Sequence, residues 1–285
     1  MQRSDFRFFE RLRVRWAEID AQKIVFNGHY LMYFDTAVAG YWRALALPYA
    51  ESMHALGGDL FVRKAEVEYM ASARYDDVLD IGMRCARVGN SSITFAAAVF
   101  RQEQLLVSCV LTYVFADAEG TASKPVPPDL LQLFDRFESG QSMVDVRVGA
   151  WPELGEPARA IRTAVFISEQ RIPAEMEWDD ADEGAVHAVA FNHLGRALAT
   201  GRMLEHVPGV AKIGRMAVVA SSRHSGVGRA VLDALLDAAR ARRDREAVLH
   251  AQIAAAPFYE RAGFTRRGPV FDEAGIAHVE MLRTL

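Results

Sequence analysis

The stretch Arg223-His224-Ser225-Gly226-Val227-Gly228-Arg229-Ala230 has the residues to hold an anion. It lies between an apolar segment that includes Met216, Ala217 and Val218 and an amphipathic pattern marked by Val231, Leu232, Leu235 and Leu236. A turn there presents unpaired N–H groups and the positive dipole end of a helix, which suit a pyrophosphate. Glycines at 226 and 228 let the backbone approach a phosphate with no β-carbon in the way. A Gly-x-Gly turn also closes loops that hold no ligand, so the turn alone leaves both readings open. A second loop, from Trp16 to Leu31, places two carboxylates, Glu18 and Asp20, ahead of a helix that Asn27 or Gly28 can cap, with His29 following. A third group is acidic. Glu175, Glu177, Asp179, Asp180, Asp182 and Glu183 crowd one loop, where they either attract a cationic amine and supply a base or form a solvated surface. Glu169 and His278 are further candidate bases.

The bulk properties limit the chemistry. The 285 residues exceed a typical single core and point to two domains. With 51% hydrophobic and 25% charged residues, both should fold. Basic and acidic residues, 33 and 37, are well mixed, which gives no basic face for nucleic acid. Cys85 and Cys109 lie in apolar, strand-like runs and make neither a disulfide framework nor a metal cluster, so no metal is expected. No apolar run spans a membrane and the N-terminus lacks a signal-peptide core, from which a cytoplasmic location is expected.

The elements that must position these groups follow from periodicity. Basic and apolar residues alternate from Arg11 to Trp16, the mark of a half-buried strand. Leu31, Phe34, Val38, Trp42 and Leu45 then recur on one face of a long helix that Pro48 closes. Strands follow at about 60–69, 78–88, 92–101 and 104–115, separated by turn-like residues. One helix buries its stripe against such a run only if the antiparallel sheet curls around it, an α+β arrangement. Gly120 to Pro128 is strong punctuation, Leu130 to Phe137 is apolar on one side, and Ser139 to Ser142 reads as the linker. The domains are therefore placed at 1–140 and 141–285. In the second, strands at about 144–148, 186–192, 197–204, 212–219 and 248–252 interleave with helical segments from 154 to about 170, up to about 243, and at about 257–262, before a final strand pair. That is an α/β pattern with a mixed sheet and flanking helices.

The turn from Arg223 to Gly228, the strand before it, and Ala256-Pro257-Phe258-Tyr259-Glu260-Arg261-Ala262-Gly263-Phe264 some thirty residues later together resemble the GNAT superfamily over about residues 143 to 284. The resemblance implies that Arg223, His224, Ser225, Gly226, Val227, Gly228 and Arg229 cradle the pyrophosphate of acetyl-CoA and that Tyr259 protonates the departing thiolate. Backbone N–H groups of Met216, Ala217 and Val218 would hold the thioester oxygen and pantetheine. The segments Val165 to Pro173, Trp178 to Asp182 with His187, and Phe271 to Met281 look like the ElaA-type branch. From the residues themselves, Glu169, Glu175, Asp179, Asp182 and His278 are the candidates for amine binding or base.

Glu18-Ile19-Asp20, Ile24-Val25-Phe26-Asn27 and Tyr30-Leu31, with Ala65 to Tyr69 and Ala73 to Asp77, resemble the hotdog-fold acyl-CoA thioesterases of the 4-hydroxybenzoyl-CoA thioesterase and YbgC type over about residues 6 to 137. Read from the residues, Asp20 is a loop aspartate. The resemblance implies that it acts on a thioester carbonyl, as nucleophile or as base for water, while N–H groups of Asn27, Gly28 and His29 stabilise the oxyanion. Lys23 departs from the glycine frequent at its place. The resemblance also implies a homodimer or homotetramer through this domain. The combined expectation is hydrolysis of an acyl-CoA by the first domain and transfer of an acetyl or acyl group from CoA to an amine by the second. The alternatives are one catalytic domain beside a CoA-binding or oligomerising one, and an acyl-CoA sensor without turnover.

Overall fold

The computed structural model describes residues 1–285, which form two compact units, Met1–Met143 and Val144–Leu285.

In the first unit, strand β1 (Phe8–Arg13) leads through a short 3-10 turn to helix α1 (His29–Ala44) and helix α2 (Tyr49–Leu56). Strands β2 (Asp59–Tyr69), β3 (Val78–Val88), β4 (Ser92–Arg101) and β5 (Gln104–Ala116) follow, and helix α3 (Pro128–Glu138) closes the unit. The sheet is antiparallel throughout, in the order β1-β3-β4-β5-β2. Its registers align Ile81, Val99 and Val107 in one row and Met83, Ala97 and Cys109 in the next, all buried. Residues directly opposite across strands share a face, and this face receives α1, where Tyr41 meets Phe95 at 5.7 Å. The opposite face carries a smaller cluster of Phe6, Ala98 and Phe100. This is the α+β hotdog arrangement expected of the first half.

Two details differ from the sequence reading. Strand β1 ends at Arg13 because Val14 turns away to exchange backbone bonds with the 76–77 turn, donating to Asp77 at 2.9 Å and accepting from Asp76 at 3.1 Å. The buried stripe of α1 is Tyr30, Tyr33, Phe34, Ala37, Val38, Tyr41 and Trp42, while Leu31 is 44% exposed. Phe34, Val38, Trp42 and Leu45 of the expected stripe are buried, and its first member, Leu31, lies about one residue, or roughly 100°, off the face. Tyr30, Tyr33 and Tyr41 widen the buried face and read as polar in a pattern of aliphatic positions.

In the second unit, strand β6 (Val144–Gly149) precedes helix α4 (Trp151–Arg162), which loosens into a π-helical stretch at Thr163–Glu169, and then helix α5 (Ala174–Glu177). Strands β7 (Val186–Asn192), β8 (Ala197–Val207) and β9 (Val210–Val218) lead to helix α6 (Val227–Ala241). Strand β10 (Glu246–Gln252), helix α7 (Ala256–Arg261) and strands β11 (Thr265–Glu273) and β12 (Ile276–Thr284) complete it. The seven strands run β11-β12-β10-β9-β8-β7-β6, and only β9 and β10 are parallel. Helix α4 packs its Leu154, Ala158 and Ile161 on the face of Val189, Phe191 and Ala217. Helix α6 takes the other face, and glycine at 201 admits it, since a β-carbon there would lie 2.8 Å from Leu235 and 3.1 Å from Val231. This is the α/β mixed-sheet arrangement expected of the second half.

Candidate functional site

Strands β9 and β10 pair only at Val210–Lys212 with Glu246–Val248, then part. Parallel strands that diverge leave backbone groups of each without a ladder partner. On the other edge of β9, the Val219 N–H donates to Leu198 at 3.0 Å. Alternation along an extended chain turns the N–H groups of Val218 and Met216 toward the gap and that of Ala217 toward β8. A bulge shapes the strand here, with Arg215 at φ 51 and a register shift opposite Thr200 and Arg202. Of the three strand residues singled out in sequence, two therefore have donors directed into the opening.

The turn beyond β9 carries His224 at φ 65 and Gly226 at φ 87, after which α6 begins at Val227. The Ser225 hydroxyl donates to the Ser222 carbonyl at 2.6 Å, which ties the turn to itself. A β-carbon on Gly226 would meet nothing within 4 Å, whereas one on Gly228 would meet Val218 at 2.9 Å. Gly226 supplies the left-handed conformation, and Gly228 allows the first turn of α6 to close on β9. The free N–H groups of Val227, Gly228 and Arg229 lie in that first turn, where a helix suits an anion. Arg229 also donates to the Arg261 carbonyl of α7 at 3.3 Å and pairs with Asp233 at 2.8 Å. Arg223 folds back to donate to the Val218 carbonyl at 3.2 Å and holds Glu169 through two bonds of 2.8 and 2.6 Å. Tyr259, on α7, is buried between Phe258 at 4.9 Å and Phe264 at 6.0 Å, and burial pushes its phenol above the ordinary range.

The candidate amine and base residues have separate fates. Glu169 is clasped by Arg223, whose guanidinium hydrogen bond holds its carboxyl below the usual value. Asp182 is buried and accepts from Arg162 at 2.8 Å and Arg202 at 2.8 Å. Asp179 pairs with Arg202 and with Arg215 at 3.2 Å, and the Arg202 hydrogen bond lowers its carboxyl pKa. Glu177 bonds Arg162 at 2.5 Å and lies 3.4 Å from Arg215. Three guanidinium groups thus neutralise three carboxylates, and Trp151 and Trp178 cover Arg162 at 5.7 and 4.7 Å. Their field cannot attract a cation as an unpaired acidic loop would, and this array is what sequence reading missed, because the arginines stand on α4, β8 and β9, far along the chain. Glu175, like Asp180 and Glu183, is exposed without such a partner. His278 sits on β12, near-buried, with Nδ1 donating to the Ile276 carbonyl at 2.8 Å and its ring stacked on Phe271. It faces Gln252 across the β10–β12 ladder, and Gln252 donates its amide to Gln170 at 3.0 Å, next to Glu169.

In the first unit, Asp20 stands in a small hairpin. Its N–H donates to Ile24 at 2.9 Å, Phe26 donates to Glu18 at 2.9 Å, and Ile19 bridges Val25. The Asp20 carboxylate accepts from the Gln22 N–H at 2.8 Å, an Asx-type turn that fixes it on the loop. Lys23 takes φ 63, a conformation that glycine adopts freely, which is why glycine suits that place. Glu18 is buried. Burial would raise its pKa, but hydrogen bonds from the Arg15 backbone, the Arg15 side chain and Tyr33 together outweigh that and lower it. Glu18 thereby anchors the loop, and Asp20 is the carboxylate left at the surface of it. At the start of α1, the His29 N–H is already engaged by the Phe26 carbonyl at 2.9 Å, so the donors there without an internal acceptor are those of Asn27 and Gly28. Asp20 and Asn27 leave from the two arms of one hairpin, and the hairpin is braced by Val25 donating to Ala73 at 2.9 Å.

The family model of the acetyltransferase (GNAT) domain matches residues 156–285, and that of the thioesterase superfamily matches residues 22–108. The latter span begins just past Asp20. The uncharacterized N-acetyltransferase YjcF of Bacillus subtilis (strain 168) is 33% identical over 124 residues, covering 43% of this chain and 87% of that protein. A protein of Aquifex aeolicus (strain VF5) described as "Putative esterase" is 31% identical over 96 residues, covering 34% of this chain and 74% of that protein. The solved structure of an acyl-CoA N-acyltransferase from Pseudomonas aeruginosa is 30% identical, with a TM-score of 0.45, and the match covers 49% of this chain and 99% of that one.

Proposed function

Because the chain belongs to the thioesterase superfamily in its N-terminal half and to the GNAT acetyltransferases in its C-terminal half, we propose that it consumes coenzyme A thioesters at two sites. The first hydrolyses an acyl-CoA and the second transfers an acyl group, in the first instance acetyl, to an amine. The observation that carries the CoA reading is the opening between β9 and β10 with the α6 turn beyond it. An extended pantetheine can take the vacant β9 donors as an added strand would, and its pyrophosphate then meets the first turn of α6.

In the transfer step the amine nitrogen attacks the thioester carbonyl, whose oxygen gains charge and is held by strand N–H groups. The C–S bond breaks, and Tyr259 donates a proton toward the departing sulfur. Its raised pKa keeps the phenol protonated at neutral pH. Since Glu169, Asp179 and Asp182 are engaged by arginines, the proton lost by the amine passes to His278, Glu175 or solvent. In the hydrolytic step Asp20 either activates a water that attacks the carbonyl or attacks it directly to form a mixed anhydride that water then hydrolyses. The Asn27 and Gly28 N–H groups hold the oxyanion, the C–S bond breaks, the CoA thiolate takes a proton from solvent, and the carboxylic acid is released. The first domain self-associates as a homodimer or homotetramer, which the edge position of β2 and its exposed Phe61, Val62 and Tyr69 support. The two unpaired cysteines fit a reducing, cytoplasmic setting, and no helix is long and apolar enough to cross a membrane.

Release of free thiol from a panel of acyl-CoAs, with and without amines, tests both reactions. Amine-independent release should fall about a hundredfold or more in Asp20→Asn, and amine-dependent release should fall by a similar factor in Tyr259→Phe. No release from any acyl-CoA despite binding would sink both enzyme readings.

A further inference from the structure

We infer that Trp16, Tyr75 and Arg74 form a clasp for the purine nucleotide end of the acyl-CoA bound by the first domain. The inference rests on the reading of that domain as a user of CoA thioesters. Trp16 is 71% exposed and Tyr75 is 52% exposed, yet the rings touch edge to face, with centroids 5.4 Å apart and planes at 83°. Paired large aromatic rings left in water are unusual on a surface where single apolar residues are common.

The pair is held and does not merely happen to meet. Trp16 opens the 3-10 turn that Glu18 caps by accepting from the Arg15 N–H at 2.7 Å. Tyr75 sits in the turn between β2 and β3, and that turn is bonded to Val14 on one side and to Val25 on the other. The same Val25 bond braces the hairpin that carries Asp20, so the aromatic pair borders the candidate catalytic loop. Two rings at right angles form a corner in which a flat base stacks on one face and meets the other edge-on.

The charges around the corner favour an anionic, planar ligand. The Arg13 and Arg15 guanidinium groups are occupied by Asp76 at 3.0 Å and by Glu18 at 2.5 Å. Arg74, next to Tyr75, bonds only through its backbone, its N–H donating to the Asp77 carboxylate at 2.8 Å and its carbonyl accepting from the Asp77 N–H at 3.1 Å, which leaves its guanidinium free for a phosphate. An acyl chain would offer nothing to Arg74. A second copy meeting this patch across a two-fold axis would bring the arginines against their own counterparts. The β2 edge is a separate apolar strip better suited to self-association.

Hydrolysis of one acyl group on CoA is compared with hydrolysis of the same group on N-acetylcysteamine, which lacks the nucleotide, using the full chain. Trp16→Ala and Arg74→Ala should each raise KM for the CoA ester about tenfold, leave kcat unchanged, and leave the short thioester unaffected. Equal losses on both esters, with or without dissociation of the oligomer, or no loss on either, would overturn the clasp. If no acyl-CoA shows Asp20-dependent release, the thioesterase reading fails, and the clasp is then judged by binding. Adenosine 3′,5′-bisphosphate should quench a component of the tryptophan fluorescence that is missing in Trp16→Leu. Identical fractional quenching in the two proteins would reject it.

Discussion

At Arg162 the side chain is 1% exposed and reaches Glu177, Asp182 and the Glu177 carbonyl from beneath two indole rings. Removing one partner of such an array strands a buried charge, which costs about 3 to 5 kcal/mol. Asp182→Ala should therefore lower unfolding stability in urea by about that much, while Glu175→Ala, a few residues away and exposed, should stay within about 0.5 kcal/mol. As letters in the same acidic loop the two residues are alike. Their difference was not legible because it depends on arginines contributed by distant strands. His187 adds a pH test. It is buried with Nε2 donating to the Asp182 carbonyl at 2.9 Å, and burial, aided by Arg162 and Arg202, holds its pKa below the usual value. The folded state therefore keeps the ring neutral while the unfolded chain takes up a proton below about pH 6.5, so this contribution is complete above that pH and is lost as pH falls. The loss is at most about 1.4 kcal/mol per pH unit for one group, and the slope of stability between pH 7 and pH 5.5 should shrink in His187→Gln. An unchanged slope would mean that the ring is not the group responsible.

Helix α1 shows what decides an element once its pattern is right. Its existence and most of its face were legible from apolar spacing, since Phe34, Val38, Trp42 and Leu45 are buried, but the part carried by Tyr30, Tyr33 and Tyr41 was not, because their hydroxyls are satisfied inside by Ala73, Glu18 and Glu138. Gly40 lies in this helix where intrinsic propensity favours alanine by about 1 kcal/mol. A β-carbon there would press on the Glu10 carboxylate and lie 2.7 Å from the Phe8 ring, which is itself packed on Tyr41. Overpacking of this kind costs about 1 to 3 kcal/mol, so the clash outweighs the propensity and Gly40→Ala should destabilise. A gain in thermal midpoint would show that β1 yields more easily than its packing implies. The same logic gives Gly228→Ala a functional reading. Its β-carbon would push α6 from Val218 at the mouth of the β9–β10 opening, so KM for acetyl-CoA should rise about tenfold or more, with little change in hydrolysis by the first domain. The glycine turn was visible in sequence as a pattern, whereas the parting of β9 from β10 that gives it a purpose was not, since nothing in either strand marks where pairing stops.

Across the whole chain, the most conspicuous punctuation, Gly120 to Pro128, does not divide the structure. Pro128 instead occupies the first turn of α3, where its missing N–H costs nothing, and Leu130, Leu133, Phe134 and Phe137 then seal the first core against Tyr41 and Trp42. The compact units run Met1–Met143 and Val144–Leu285, each closed by its own sheet and its own buried face. Units of about 140 residues bury enough surface to fold alone. Fragments 1–143 and 144–285 should therefore each unfold cooperatively, and 144–285 should bind acetyl-CoA as tightly as the full chain does. Catalysis should separate along the same line, because neither candidate site borrows a residue from the other unit. Asp20→Asn should leave amine acetylation at its full rate and Tyr259→Phe should leave hydrolysis at its full rate, with the double variant showing the product of the two single effects. A fragment that fails to fold, or a Tyr259→Phe chain that also loses hydrolysis, would mean that the two units depend on each other.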